Sequence, residues 1–149
     1  MSAADLSQAE ADRLIGQDKS RKDDTVWDFP DAGSSLKVPL ISVDGTEEFL
    51  LDVTRSQILV TKGTFQTRWQ SVVILVRLDI DGPPHRNPDG TDIPCPHLHL
   101  YREGYGDKWA RPVTVGEFPG LGDLFDTCTD FMTFCSVVTP PRIQRTLFT

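Results

Sequence analysis

The 149-residue chain has three histidines, and all of them fall within one short stretch. His97 and His99 stand one residue apart in "PCPHLHLYREGY", and His85 precedes them in "DGPPHRNPDGTD". Imidazole titrates near neutral pH, so two of them can serve as general base and general acid. Arg77, Arg86, Arg102 and Lys108 lie in the same part of the chain, with Tyr101 between them. Guanidinium and ammonium groups stabilise the charge that builds on a five-coordinate phosphate. This set suits metal-independent cleavage of RNA, with the 2′-hydroxyl as internal nucleophile. His85, His97, His99 and Tyr101 are then the candidate catalytic residues. Arg77, Arg86, Arg102 and Lys108 are the candidate substrate-binding residues. Asp79 is placed to orient one imidazole.

Metal chemistry is the competing use of the same residues. Cys95, His97 and His99 alternate onto one strand face, and His85 can add a fourth donor to a Zn²⁺ ion. Same-face neighbours on a strand lie about 6.5–7 Å apart, so two of these residues can share an ion while three in a row strain it. The sequence therefore predicts no metal and no cofactor. A third use is passive: a polar sheet face that holds a protein partner.

Strands must position these groups. "SVVILVRLDI" alternates Val72, Ile74, Val76, Leu78 and Ile80 onto one face and Arg77 and Asp79 onto the other. In the histidine strand Leu98 and Leu100 share the core face, which turns Cys95, His97, His99 and Tyr101 away from it. Antiparallel pairing brings the two polar rows side by side. The connecting loop contains Pro83, Pro84, Pro88 and Pro94, and it delivers His85 and Arg86 to one end of that face. Asn87-Pro88-Asp89-Gly90 reads as a turn. Trp27, Trp69 and Trp109 read as packing anchors.

Around this pair, "LKVPLISV" and "EEFLLDVT" flank Asp44-Gly45, a hairpin turn, and "ILVTKGTFQTRW" supplies another strand. Ser7 and Glu10 form a capping box for a first helix, with Leu6 as staple and Ala11, Leu14 and Ile15 on its apolar face. "GQDKSRKDD" reads as a polar loop. Near the C-terminus, Leu124, Phe125, Cys128, Phe131, Met132, Cys135 and Val138 form one helical stripe ended by Pro140-Pro141. The tail "RIQRTLFT" can add a short edge segment. The expected fold is one α+β domain over 1–149, an antiparallel meander of about five or six strands with both helices on one face. Residues 1–35 hold the first helix and a polar loop, 36–115 the sheet, and 116–149 the second helix and tail.

Composition narrows the classes. Net charge is −7, which argues against broad binding to nucleic-acid backbones. The charge is uneven: Arg55 to Pro112 holds eight Lys/Arg against six Asp/Glu, so the histidine segment is locally basic. Three cysteines, Cys95, Cys128 and Cys135, form no disulfide framework, and the N-terminus has no apolar signal core. Both point to the cytoplasm, and no apolar run is long enough to span a membrane.

The segment "LVRLDIDGPPHRNPDGTDIPCPHLHLYREGYGDKWARP" resembles the signature of a family of small bacterial and phage proteins of unknown function. The likeness extends to "LISVDGTEEFLLDV", "FQTRW" and "FMTFCSVV", and so to most of the chain. It implies a toxin–antitoxin or phage-defence setting, with RNA or a cognate protein (an antitoxin or a defence component) as partner. It carries over no catalytic residue. A homo-oligomer is compatible with this reading. The leading expectation is a ribonuclease-type toxin. A non-enzymatic interaction or inhibitor protein and a Zn-dependent hydrolase built on His-x-His are the alternatives.

Overall fold

A computed structural model describes residues 5–146. Helix α1 (Gln8–Gly16) starts at Ser7, whose hydroxyl accepts from the Glu10 amide at 3.1 Å. Only half of the capping box forms, because the Glu10 carboxylate turns outward to Arg13. Four long strands follow as a meander: β3 (Ser35–Ser42), β4 (Glu48–Arg55), β5 (Gly63–Trp69) and β6 (Val73–Ile80). The histidine strand β9 (His97–Leu100) pairs antiparallel with β6, and β10 (Ala110–Pro112) closes that edge.

The sheet has eight strands, more than the five or six expected. The extra ones come from segments without strand periodicity. β1 (Lys19–Arg21) lies in the stretch expected to be a polar loop, and it pairs with both β3 and β11 (Val137–Thr139). The β1–β11 pair is parallel, which makes the sheet mostly antiparallel. Two small ribbons complete the fold. β2 (Val26–Asp28) pairs with β12 (Arg142–Gln144), and β7 (His85–Arg86) pairs with β8 (Asp92–Ile93) inside the proline-rich loop. The tail thus adds an edge segment through Gln144; Leu147–Thr149 lie outside the described residues.

One face of the sheet is apolar. Cross-strand partners Val53, Phe65, Leu78 and Leu98 form a fully buried row. Helix α2 (Leu124–Phe134) packs on this row, with the Phe131 ring tilted against Phe65 at 6.0 Å between centroids, and α1 covers β6 beside it. Burying four such side chains contributes about 1.5–3 kcal/mol each. Helix α2 ends earlier than expected. Cys135 caps it, Ser136 takes a left-handed φ of 62°, and Val137, Val138 and Thr139 leave as a strand. A β-branched run gains more as a strand beside β1 than as a last helical turn. Val138 therefore leaves the helical stripe and is exposed.

Lys19 ties the helices together. Its ammonium is buried and donates to the carbonyls of Ile15 (3.0 Å), Gln17 (2.9 Å) and Cys135 (2.9 Å). Burial pushes its pKa down to about 8, and the three acceptors keep it charged at neutral pH.

The alternation expected in β6 is broken once. Thr67 opposes Val76 while Arg68 opposes Ile74, so Leu75 is an extra residue. This bulge shifts the pattern, and beside the expected Val76 the core receives Val73 and Leu75 in place of Val72 and Ile74. Below the bulge Leu78 and Ile80 keep the expected face, with Arg77 and Asp79 opposite. Among the described residues no helix is long and apolar enough to cross a membrane.

Candidate functional site

The polar face carries the histidines. On β9 and β6, His99 lies opposite Arg77 and His97 opposite Asp79. A step further across the sheet, Gln66 is the partner of Arg77 and Thr64 the partner of Asp79. This is the juxtaposition that alternation predicts, and pairing enforces it.

The face is not open to solvent at the histidines. His97 is 2 % exposed and His99 is fully buried. Two loops close over them. The loop before β9 brings His85 over the pair, with ring centroids 4.5 Å from His99 and 5.9 Å from His97. The turn after β9 folds back between Arg102 and Gly106, where Gly106 takes a φ of 62° that a side chain would strain. That reversal places the Asp107 carbonyl 2.8 Å from His99 Nδ1. Asn87 pins the first loop, exchanging two hydrogen bonds with the backbone of Ala110 at 2.8 and 2.9 Å.

These carbonyls decide the tautomers. His99 Nδ1 faces the Asp107 carbonyl, and His97 Nδ1 faces the Ile93 carbonyl at 3.1 Å. A carbonyl only accepts, so each Nδ1 carries a proton. In the neutral rings each Nε2 is then a lone pair. Both lone pairs point at one atom: Asp79 Oδ2 is 3.1 Å from His97 Nε2 and 3.2 Å from His99 Nε2. Three acceptors facing one another need a positive charge among them.

Arg77 supplies part of it. Its Nη2 lies 3.1 Å from His99 Nε2, its Nε lies 3.3 Å from Asp79 Oδ2, and its Nη1 pairs with Asp107 at 2.8 Å. Burial alone would raise the Asp79 carboxyl. The Arg77 charge and the Thr64 hydroxyl, which donates to Oδ1 at 3.0 Å, act against it, and Asp79 is held well below the carboxylate range. For His97 burial wins over the attraction of Asp79, and its pKa falls below the ordinary value. The neutral ring is thereby favoured, and no protein N–H answers its Nε2 lone pair among the contacts described.

Such an arrangement matches what a divalent ion asks of its ligands. His97, His99 and Asp79 each offer one atom, all within 4.8 Å of one another. A tetrahedral zinc with ligands at about 2.0–2.1 Å has donor atoms about 3.3 Å apart, close to the 3.1 and 3.2 Å that separate Asp79 Oδ2 from the two imidazole nitrogens. Imidazoles that bind metal commonly donate their other N–H to a backbone carbonyl, as both do. The residues present therefore fit a metal that the sequence reading did not assign.

Other expected site residues go elsewhere. Tyr101 does not share the histidine face. Strand β9 ends at Leu100, and opposite the β6 bulge the Tyr101 amide bonds the Leu75 carbonyl. The ring enters the core, where its hydroxyl meets the amide and carbonyl of Leu6 at 2.8 and 3.1 Å. Arg86 is exposed and paired with Asp92, because β7 and β8 turn it outward. Arg102 stacks 4.1 Å over Trp109. Lys108 contributes its carbonyl, which accepts from His85 Nε2 at 2.7 Å, while its side chain lies in solvent. Cys95 Sγ stands 3.5 Å from His97 Nδ1, on the ring edge away from the donor cluster, so it is not in the ligand set.

His85, His97, His99 and Arg77 are thus brought together. Tyr101, Arg86, Arg102 and the Lys108 side chain are not. Sequence reasoning missed Thr64, Asp107 and Lys62. The first was readable, since alternation along β5 puts Thr64 beside Asp79; the other two depend on loop closure. A groove of about 320 Å³ opens beside the cluster, bordered by Lys62, Pro84, His85 and Cys95. Arg77, Asp79, His85 and His97 all line it, and His99 does not.

No curated protein and no solved structure matches the chain. A family model does, over residues 6–137, and the chain belongs to that family of unknown function, DUF6978.

Proposed function

We propose that this protein is a metal-dependent hydrolase whose ion, of the zinc class, is held by His97 Nε2, His99 Nε2 and Asp79 Oδ2. The observation that carries the reading is the convergence of these atoms while both Nδ1–H groups are tied to backbone carbonyls. Two histidines and one carboxylate leave coordination positions for water and substrate, as hydrolytic zinc sites do. A bound divalent ion acidifies water and polarises the bond to be cleaved. His85 stands at the groove with Nε2 committed to the Lys108 carbonyl, which leaves its Nδ1 to accept a proton. Arg77 is already ion-paired with Asp107, a contact that would keep its charge beside the ligands if His99 Nε2 were given to the ion.

Metal-independent RNA cleavage draws less support. His99 is fully buried and does not line the groove, and three of the four expected phosphate-binding side chains point elsewhere. A toxin of that kind would arrest growth on expression, and the His85→Ala variant would relieve the arrest.

The decisive measurement is elemental analysis of protein purified without chelators and then equilibrated with zinc. One equivalent is expected for the wild type, with loss in His97→Ala, His99→Ala and Asp79→Ala. A wild type that retains no stoichiometric zinc, cobalt, manganese or iron overturns the reading.

A further inference from the structure

Arginine and lysine each place one cation in the wall of the groove beside Asp79: Arg77 and Lys62. Arg77 is matched, by Asp79 and by Asp107. Lys62 is half-buried, and among the described residues its ammonium meets no carboxylate and no hydrogen-bond acceptor. Asp81, which follows Ile80, is bonded to the Thr61 hydroxyl and borders the apolar cleft beside α2 instead. A half-buried ammonium loses part of its hydration and here gains no ion pair in return, so the fold does not account for it. A bound anion does.

Its position is set by the chain. Lys62 stands two residues before Thr64, the cross-strand partner of Asp79, and so shares the polar face with both. Backbone bonds fix its root: the Lys62 amide donates to the Leu59 carbonyl at 2.9 Å, and its carbonyl accepts from the Ser56 amide at 3.1 Å. The stem then crosses Gly82, where an added Cβ would lie 3.4 Å from Lys62 Cε and 3.9 Å from Nζ. Cys95 Sγ would lie 3.8 Å from the same point, and that sulfur touches the His97 ring. The ammonium is thus held on the groove wall that leads to His97 and Asp79.

Counting charge says which anion fits. A divalent ion, Lys62 and Arg77 bring four positive charges, against which Asp79 and Asp107 set two negative ones. A dianion makes the site neutral. We propose that the groove takes a phosphate monoester, its dianionic head shared between the His97/His99/Asp79 centre and the Lys62 ammonium, a point charge suited to phosphate oxygens. The inference rests on the hydrolase reading for the chemistry and on Lys62 for the charge of the substrate. A groove of about 320 Å³ is at the small end of ligand sites and suits a compact ester. In the reaction water's oxygen joins phosphorus, the P–O bond to the ester oxygen breaks, and one proton of that water passes to the departing alcohol. Inorganic phosphate is left.

Calorimetric titration of the zinc-equilibrated, desalted protein with methyl phosphate and with dimethyl phosphate tests it, at about pH 8 where the monoester is a dianion and the diester a monoanion. The monoester should bind about tenfold more tightly or better. Lys62→Gln should weaken monoester binding by about tenfold with zinc content unchanged, and Lys62→Arg, which keeps the charge, should preserve most of it. Equal affinity for the two esters, or monoester binding that Lys62→Gln leaves intact, overturns the proposal. Zinc content separates the two claims. One equivalent of zinc with either of those results keeps the metal centre and removes the phosphate monoester. Protein without stoichiometric metal that still prefers the monoester through Lys62 keeps the anion site and removes the hydrolase reading.

Discussion

Two aspartates sit on the polar face of the same sheet, and their surroundings differ in kind. Asp52 is closed: Arg68 grips both of its oxygens at 2.7 and 3.0 Å, and Gln66 adds a third bond at 2.9 Å. Asp79 is shared: Thr64 takes one oxygen, and the other faces two imidazoles and one edge of Arg77 at 3.1 to 3.3 Å. Both set a carboxylate beside an arginine, on neighbouring strands for Asp52 and Arg68 and on one strand for Asp79 and Arg77. In the first, every charge finds its counter-charge and the pair holds strands together. In the second, ring nitrogens that are themselves acceptors crowd the carboxylate, which does little for stability and suits a bound cation. Burial and an ion pair alone do not mark a site; convergent acceptors do.

The largest effect that can break this contrast is on stability. Asp52→Ala strands the Arg68 guanidinium and should cost about 3 kcal/mol in urea denaturation. Zinc stoichiometry should be unchanged; if zinc is lost as well, the two clusters are one unit. Next comes His97→Ala, which should weaken zinc binding by about 100-fold or more. In metal-free protein its denaturation midpoint should move less than that of Asp52→Ala. A larger move would make His97 a structural residue like Asp52.

Arg77→Gln is a finer probe. It removes a positive charge beside the ligands and should strengthen zinc binding by about tenfold in a chelator competition. Weaker binding would show that Arg77 holds the Asp107 loop in place for His99. The smallest effect belongs to a surface pair, Arg111 and Glu117, 2.7 Å apart. The Arg111 hydrogen bond lowers the Glu117 carboxyl to about 2 from 4.5. A depressed carboxyl stabilises the fold above its unfolded value. That contribution is therefore present above pH 4.5 and lost as the pH falls toward 2. For an exposed pair it should stay below about 1 kcal/mol, and Glu117→Gln should abolish it. A greater loss would place this pair with Asp52 rather than with the surface.

Strand alternation made the core of the site legible. Leu98 and Leu100 needed the apolar face, so His97 and His99 had to take the other, and the same rule set Arg77 and Asp79 beside them. The rule failed where its assumption failed. An inserted Leu75 changed the face count, and the end of β9 released Tyr101 into the core. Arg86 and Arg102 were misjudged because nearness in sequence to a histidine says nothing about direction once the chain has left the strand. Lys19 hid in a charged stretch, since nothing local reveals that three carbonyls from two helix ends will enclose it.

The sequence alone determined the pairing partners of the polar face, because a side-chain period of two leaves one choice when the opposite face must be buried. It also marked both helix starts, through Ser7 and through the apolar stripe of α2. Only the tertiary structure decided what the histidines can do. Their tautomers depend on the carbonyls of Ile93 and Asp107, which loop closure brings into place, and backbone oxygens look alike in every sequence. The apolar cleft beside α2 likewise draws Phe29, Val60 and Phe125 from distant parts of the chain, and they meet only once the sheet and α2 have packed.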